Sequence, residues 1–106
     1  MAWMYLVIAG LFEIAWAIGL KYTEGFTRLW PSAGTVAAMI VSFLFLAESL
    51  KSIPVGTGYA VWTGIGAAGT AVMGIIQFDE SRDLVSILCI LAIVAAIAGL
   101  KLSSPT

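Results

Sequence analysis

One acidic residue in this 106-residue chain stands where acids seldom do. Five of the six Asp and Glu residues, namely Glu24, Glu48, Asp79, Glu80 and Asp83, fall at or near the ends of apolar stretches, where water can solvate them. Glu13 falls in the middle of one. Placing an ionised carboxylate at such a depth costs about 2.5–3.5 kcal/mol on insertion scales. The sequence supplies no Lys, Arg or His at comparable depth to offset that cost. Burial disfavours the charged form of an acid, which brings proton exchange within reach near neutrality. An intramembrane acid of this kind is a proton or cation site by default. A permanently protonated Glu13 acting as interhelix hydrogen-bond glue is the plainer alternative.

Residues three and four apart share a helix face, so Leu6, Gly10, Glu13, Trp16 and Ala17 line one stripe. Gly10 is expected to leave space one turn below the carboxylate, and Trp16 to set an indole one turn above it. A second stripe combines Tyr59, Trp62, Thr63 and Gly66, and Ser42 is a mid-depth hydroxyl able to donate to a carboxylate. Neither Trp16 nor Trp62 stands at a span end, so the interfacial aromatic belt does not account for them. A cation beside an aromatic face gains about 0.5–2 kcal/mol. Singly, each of these residues reads as packing; with Glu13 they read as a small cation pocket.

The elements that must position them follow from composition. Hydrophobic residues make up 61% of the chain and charged residues 10%, and mean hydropathy is strongly positive. A soluble domain is about 45–50% apolar and about 25% charged, and a globule this small buries only about 60–70% of its surface. The sequence therefore reads as an all-α integral membrane protein. Four apolar stretches, each near the ~20 residues needed to cross hydrocarbon, predict helices over about 2–22, 31–50, 55–78 and 84–102. They leave no room for a soluble domain, so residues 1–106 read as one four-helix unit. Ala15–Trp16–Ala17 superficially resembles a signal-peptidase site, but no basic residue precedes the apolar run and Glu13 interrupts it, so a retained helix is expected.

A net charge of −1 with no basic tract excludes nucleic acid as a partner. Absence of His and the single Cys89 argue against a metal site and rule out an intrachain disulfide. No nucleotide-binding loop or nucleophile–base pair is present, so no cofactor and no covalent catalysis are expected, and an ion gradient must supply any energy. Trp3 and Trp30 suit interfacial positions, Pro31 suits a first helical turn, and Lys101 can snorkel to headgroups. The charged run Asp79–Glu80–Ser81–Arg82–Asp83 precedes the fourth helix, whose start favours acids.

With four spans, Lys51 and Lys101 share a side with both termini, against Lys21, Arg28 and Arg82 on the other. So even a bias gives the positive-inside rule almost nothing to read. Either one charge still decides, or copies insert both ways and form an antiparallel dimer. Small residues recur at spacing four in helix 3 (Gly56, Ala60, Gly64, Ala68), and Ala92, Ala95, Ala96 and Gly99 cluster in helix 4. Such ridges permit close helix contact, and the helix 4 set reads as a dimer seam. Gly64 and Gly66 are candidate hinges, and Cys89 reads as inert packing.

These features resemble the small multidrug resistance family of bacterial transporters over essentially the whole chain. The resemblance rests on length, four helices, Glu13, the loop Gly25–Phe26–Thr27–Arg28–Leu29–Trp30–Pro31–Ser32, and Pro54 to Gly66 containing Tyr59–Ala60–Val61–Trp62. Phe12–Glu13–Ile14–Ala15–Trp16–Ala17 looks like the guanidinium exporters, where the multidrug subtype carries a small residue in place of Trp16 and a tyrosine in place of Met39. The family's helix 4 often shows two glycines seven apart, where this chain has Cys89 and Ala96.

The resemblance implies a proton-coupled exporter in the bacterial inner membrane, working as an antiparallel, dual-topology homodimer. Glu13 would bind proton and substrate in turn, with Ser42 and Trp16 orienting its carboxylate. Tyr59 and Trp62 would complete the pocket, and Gly10, Met39 and Thr63 would line it. Guanidinium, protons, lipid and a second copy are then the expected partners, with H⁺ the coupling ion. Alternatives are a broad quaternary-ammonium antiporter of the same family, a non-transporting membrane scaffold or regulatory subunit, and a passive cation channel.

Overall fold

The computed structural model describes residues 1–80 and 83–103; Ser81 and Arg82 of the charged run lie outside the described residues. Four α-helices and no strands are found among them: α1 (Ala2–Tyr22), α2 (Leu29–Ser49), α3 (Val55–Gln77) and α4 (Leu84–Ser103). All four are long and apolar enough to cross a membrane. Helices are the form such apolar segments must take in hydrocarbon, because each satisfies its own backbone N–H and C=O groups. α2 begins two residues before the expected 31, which puts Pro31 third in the helix. That is still within the first turn, whose N–H groups have no intrahelical acceptor and so tolerate proline.

Short connections close the helices with local hydrogen bonds. The buried Thr23 hydroxyl donates to the Leu20 carbonyl (2.7 Å) and accepts from the Phe26 amide (3.2 Å). The chain then reverses through Glu24, Gly25 and Phe26, all at positive φ, with Gly25 at +74°. Ile53 is buried under the α2–α3 connection. Asp83 Oδ1 accepts from the Ser86 amide at the start of α4 (3.4 Å).

α1 is the central helix. It packs against both α2 and α3, α2 and α3 touch only narrowly, and α4 packs mainly on α3, with the Lys101 ammonium over the Trp3 ring of α1. On the α2 side Tyr5 and Phe12 flank Phe45, with ring centroids 5.8 and 6.4 Å apart, and Gly19 gives way to the Thr35 hydroxyl. On the α3 side Gly69 accommodates Ile14, and Gly10 accommodates Ile65, whose Cγ2 lies 2.6 Å from where a Cβ would stand. The space expected beside Gly10 is therefore filled by α3.

The buried hydrophobic set is small: Leu6, Ala9, Ile53, Val61, Trp62 and Ala68. No residue of α4 is buried. Its isoleucines Ile93 and Ile97 lie against Gly64 of α3, while Ala92, Ala95, Ala96 and Gly99 are exposed on the single chain. In the helix 3 ridge, Gly56 and Ala60 are likewise exposed and only Ala68 is buried. Cys89, expected to pack, is exposed. α3 is an uninterrupted α-helix through Gly64 and Gly66.

Candidate functional site

Glu13 lies at the middle of α1, on the face turned to α3. Its carboxyl group rests against Gly66, in the space a side chain there would occupy. Gly66 was expected to be a hinge; here it is the seat of the carboxylate. Oε1 of Glu13 is buried and accepts no hydrogen bond, and the indole N–H of Trp16, one turn further along α1, is buried and donates none. An acceptor lacking a donor and a donor lacking an acceptor thus sit on one helix face at spacing three.

Ser42 is fully buried, and its hydroxyl ties three helices together. It donates to the Ala9 carbonyl of α1 (2.7 Å) and accepts from Trp62 Nε1 of α3 (3.0 Å). A serine hydroxyl has one hydrogen, and here it is committed to Ala9. Ser42 therefore does not donate to the Glu13 carboxylate in this conformation, contrary to expectation. It fixes Trp62 instead, and through Trp62 the wall of the site.

That wall is an aromatic row. Trp16 tilts against Phe43 (6.3 Å between centroids), Phe43 against Trp62 (5.6 Å), and Trp62 against Tyr59 (5.6 Å). The structure thus joins Trp16, Trp62 and Tyr59, three of the expected residues, through Phe43, which the sequence reading passed over. No signal in the sequence singles Phe43 out, since neighbours i and i+1 on a helix point to different faces. Tyr59 is 57% exposed on the single chain. Met39 is half-buried one turn before Ser42 on α2, and Thr63 is exposed.

Chemically, the site offers an unpartnered carboxylate oxygen, a free indole N–H and several aromatic faces, with no fixed cation among them. Such a set suits a planar cation that donates hydrogen bonds. No group of three or more His, Cys, Asp or Glu able to hold a metal is found among the described residues.

An apolar four-helix chain with one acid in the middle of a span defines a multi-pass membrane protein. The chain belongs to the Small Multidrug Resistance protein family, whose sequence model matches residues 1–103. It is 57% identical over 104 residues to a guanidinium exporter of Proteus vulgaris, covering 98% of this chain and 100% of that protein. Identity to the guanidinium exporter of Yersinia pseudotuberculosis is 59%, with the same coverage. To that of Escherichia coli K12 it is 58%, covering 98% of this chain and 99% of the relative.

Proposed function

We propose that this protein is a secondary active transporter that exports guanidinium, and small substituted guanidines, in exchange for protons. Glu13 is the shared site. The observation that carries the reading is the buried, unpartnered Glu13 Oε1, one helical turn from Trp16 at the end of an aromatic row. Guanidinium is planar and carries paired N–H donors that match a carboxylate in fork geometry. It is also more weakly hydrated than an ammonium, so entering a narrow aromatic site costs it less. With the proton gone, the carboxylate takes the cation and can also accept the Trp16 N–H. Protonation removes both attractions and expels the substrate. The reaction needs no metal or organic cofactor, and no covalent bond is made. The guanidinium exporters to which the chain is similar agree with this substrate.

The working unit is an antiparallel homodimer in the bacterial inner membrane. Three features support it. The chain is a slab of 43 × 35 × 17 Å, the small-residue face of α4 is unpartnered within the chain, and the flanking positive charges are nearly balanced across the membrane. Two Glu13 copies near one axis would titrate as a pair. Rocking of one copy against the other, with flexing at Gly64 and Gly66, would alternate access.

The test is reconstitution in proteoliposomes. An outward guanidinium gradient should drive protons inward, and Glu13→Gln should abolish both fluxes. A protein that moves tetraalkylammonium ions and ignores guanidinium would belong to the broad-substrate type. One whose Glu13→Gln form keeps its cellular role would be a scaffold, and flux that no proton gradient can energise would mark a channel.

A further inference from the structure

Glu48 stands in the last turn of α2, a turn that carries no basic residue. This is the negative end of the helix dipole, where a cation is favoured and an acid is not. Lys51, three residues on, supplies a partner: its Nζ lies 3.2 Å from Glu48 Oε2, with both side chains exposed. An exposed pair of this kind contributes little to stability, so either charge can turn to a third party at small cost.

α1 and α2 run antiparallel, so the beginning of α1 lies beside this end of α2. Between them is a groove of about 300 Å³, lined by Tyr5 from α1 and by Leu44, Phe45 and Glu48 from α2. Tyr5 tilts against Phe45, and Phe45 stacks on Phe12, which lies further toward the middle of the span. The groove thus has one carboxylate at its watery end and rings and an aliphatic chain leading inward from it. A carboxylate beside aromatic faces is chemistry that holds an ammonium. Next to it, the Lys51 ammonium is chemistry that holds a phosphate. Glu48 and Lys51 are the mirror image of a head group that carries both charges, set at the level where spans give way to head groups.

We propose that this groove binds a phospholipid whose head group bears a primary ammonium beside its phosphate, as in phosphatidylethanolamine. The lipid ammonium donates to the Glu48 carboxylate against the Tyr5 and Phe45 rings. Lys51 turns from Glu48 to the phosphate, a movement of its own flexible side chain only. An acyl chain then follows Leu44, Phe45 and Phe12 into the membrane. A glycerol head group brings the phosphate but sets no cation against Glu48. A choline head group brings a cation that has no N–H to donate. Bound here, the lipid joins α1 to α2 at the end where no loop joins them, opposite the Thr23 turn.

Native mass spectrometry of the intact protein counts the lipids it retains. Phosphatidylethanolamine, phosphatidylcholine and phosphatidylglycerol with the same acyl chains are the probes. The ethanolamine lipid should be retained about fivefold over each of the others. Glu48→Gln should abolish that preference, and Lys51→Gln should lower retention of all three, since the phosphate is common to them. Glycerophosphoethanolamine, the same head group without chains, should not displace the lipid. Equal retention of the three lipids by the unaltered protein overturns the proposal, as does a Glu48→Gln protein that keeps the preference. Retention unmoved by Lys51→Gln overturns it too. Displacement by the chainless head group would mark a site for soluble ammonium compounds and overturn the lipid assignment. Should Glu48→Gln fail to assemble, the comparison of the three lipids on the unaltered protein decides, together with Lys51→Gln.

Discussion

The carboxyl group of Glu13 fills the volume that a side chain at Gly66 would need. Glycine is required there by close approach, not by backbone conformation, since α3 is regular through it. Gly66→Ala must push the carboxylate off its seat, at a cost of about 1–3 kcal/mol typical of overpacking. Guanidinium uptake should fall at least tenfold while the protein still folds. Gly56→Ala is the control, because nothing lies within 4 Å of a Cβ there. It should leave uptake unchanged and raise helix stability slightly, by up to ~1 kcal/mol.

The Ser42 bridge makes a different forecast. Ser42→Ala strands the buried Trp62 N–H without its acceptor, and an unsatisfied buried donor costs about 1–3 kcal/mol. Unfolding in detergent should shift by that amount. Ser42→Thr, which keeps the hydroxyl, should recover part of it. Trp62→Phe removes the donor as well and should be milder in stability than Ser42→Ala. An Ala variant as stable as the parent would mean that the Trp62–Ser42–Ala9 chain of bonds carries no energy.

Proton competition fixes the sign of the pH response. Guanidinium binds the charged carboxylate, so its affinity should fall as the medium is acidified through the titration of Glu13. The limit is about tenfold per pH unit for one displaced proton, and about a hundredfold if both copies of a pair must lose theirs. Calorimetry in buffers of different ionisation enthalpy counts the protons released. Glu13→Gln should bind no guanidinium at any pH. Binding that stays constant across the acid range would rule out competition at this residue.

Bulk added to the outward face of α4 should separate assembly from folding. Ala96→Leu and Gly99→Val enlarge positions exposed on the single chain, and none of α4 is buried within it. Helix content should hold while crosslinked dimer in membranes drops at least fivefold. A full dimer yield would move the seam to another face.

The four helices and the unusual placement of Glu13 were legible because both follow from one-dimensional facts. Apolar length sets the spans, and a lone acid in an apolar run stands out by type alone. Contacts between helices were not legible in the same way. Spacing puts Ser42 at the right depth, but which acceptor its single hydrogen takes depends on where Ala9 comes to lie in three dimensions. Gly66 stood out because glycine weakens helices; that its lack of a side chain also seats the Glu13 carboxyl needed the three-dimensional contact. Phe43 was missed since an aromatic in an apolar stretch carries no distinguishing mark until Trp16 and Trp62 are found on either side of it. The helix 2 start was displaced by only two residues, because proline marks a turn's worth of positions and not a single one.

Among the described residues α4 leans mainly on α3, with Lys101 over the Trp3 ring as a lighter touch on α1. Ile97 of α4 presses on Gly64, two residues from the glycine against which Glu13 rests. Mechanically these parts are in series: a push from a neighbouring protein on α4 travels chiefly through α3. The first load-sensitive point it meets lies half a turn from the charge-bearing group. Force at the oligomer boundary and occupancy at the ion site are therefore geared together through a single short stretch of backbone.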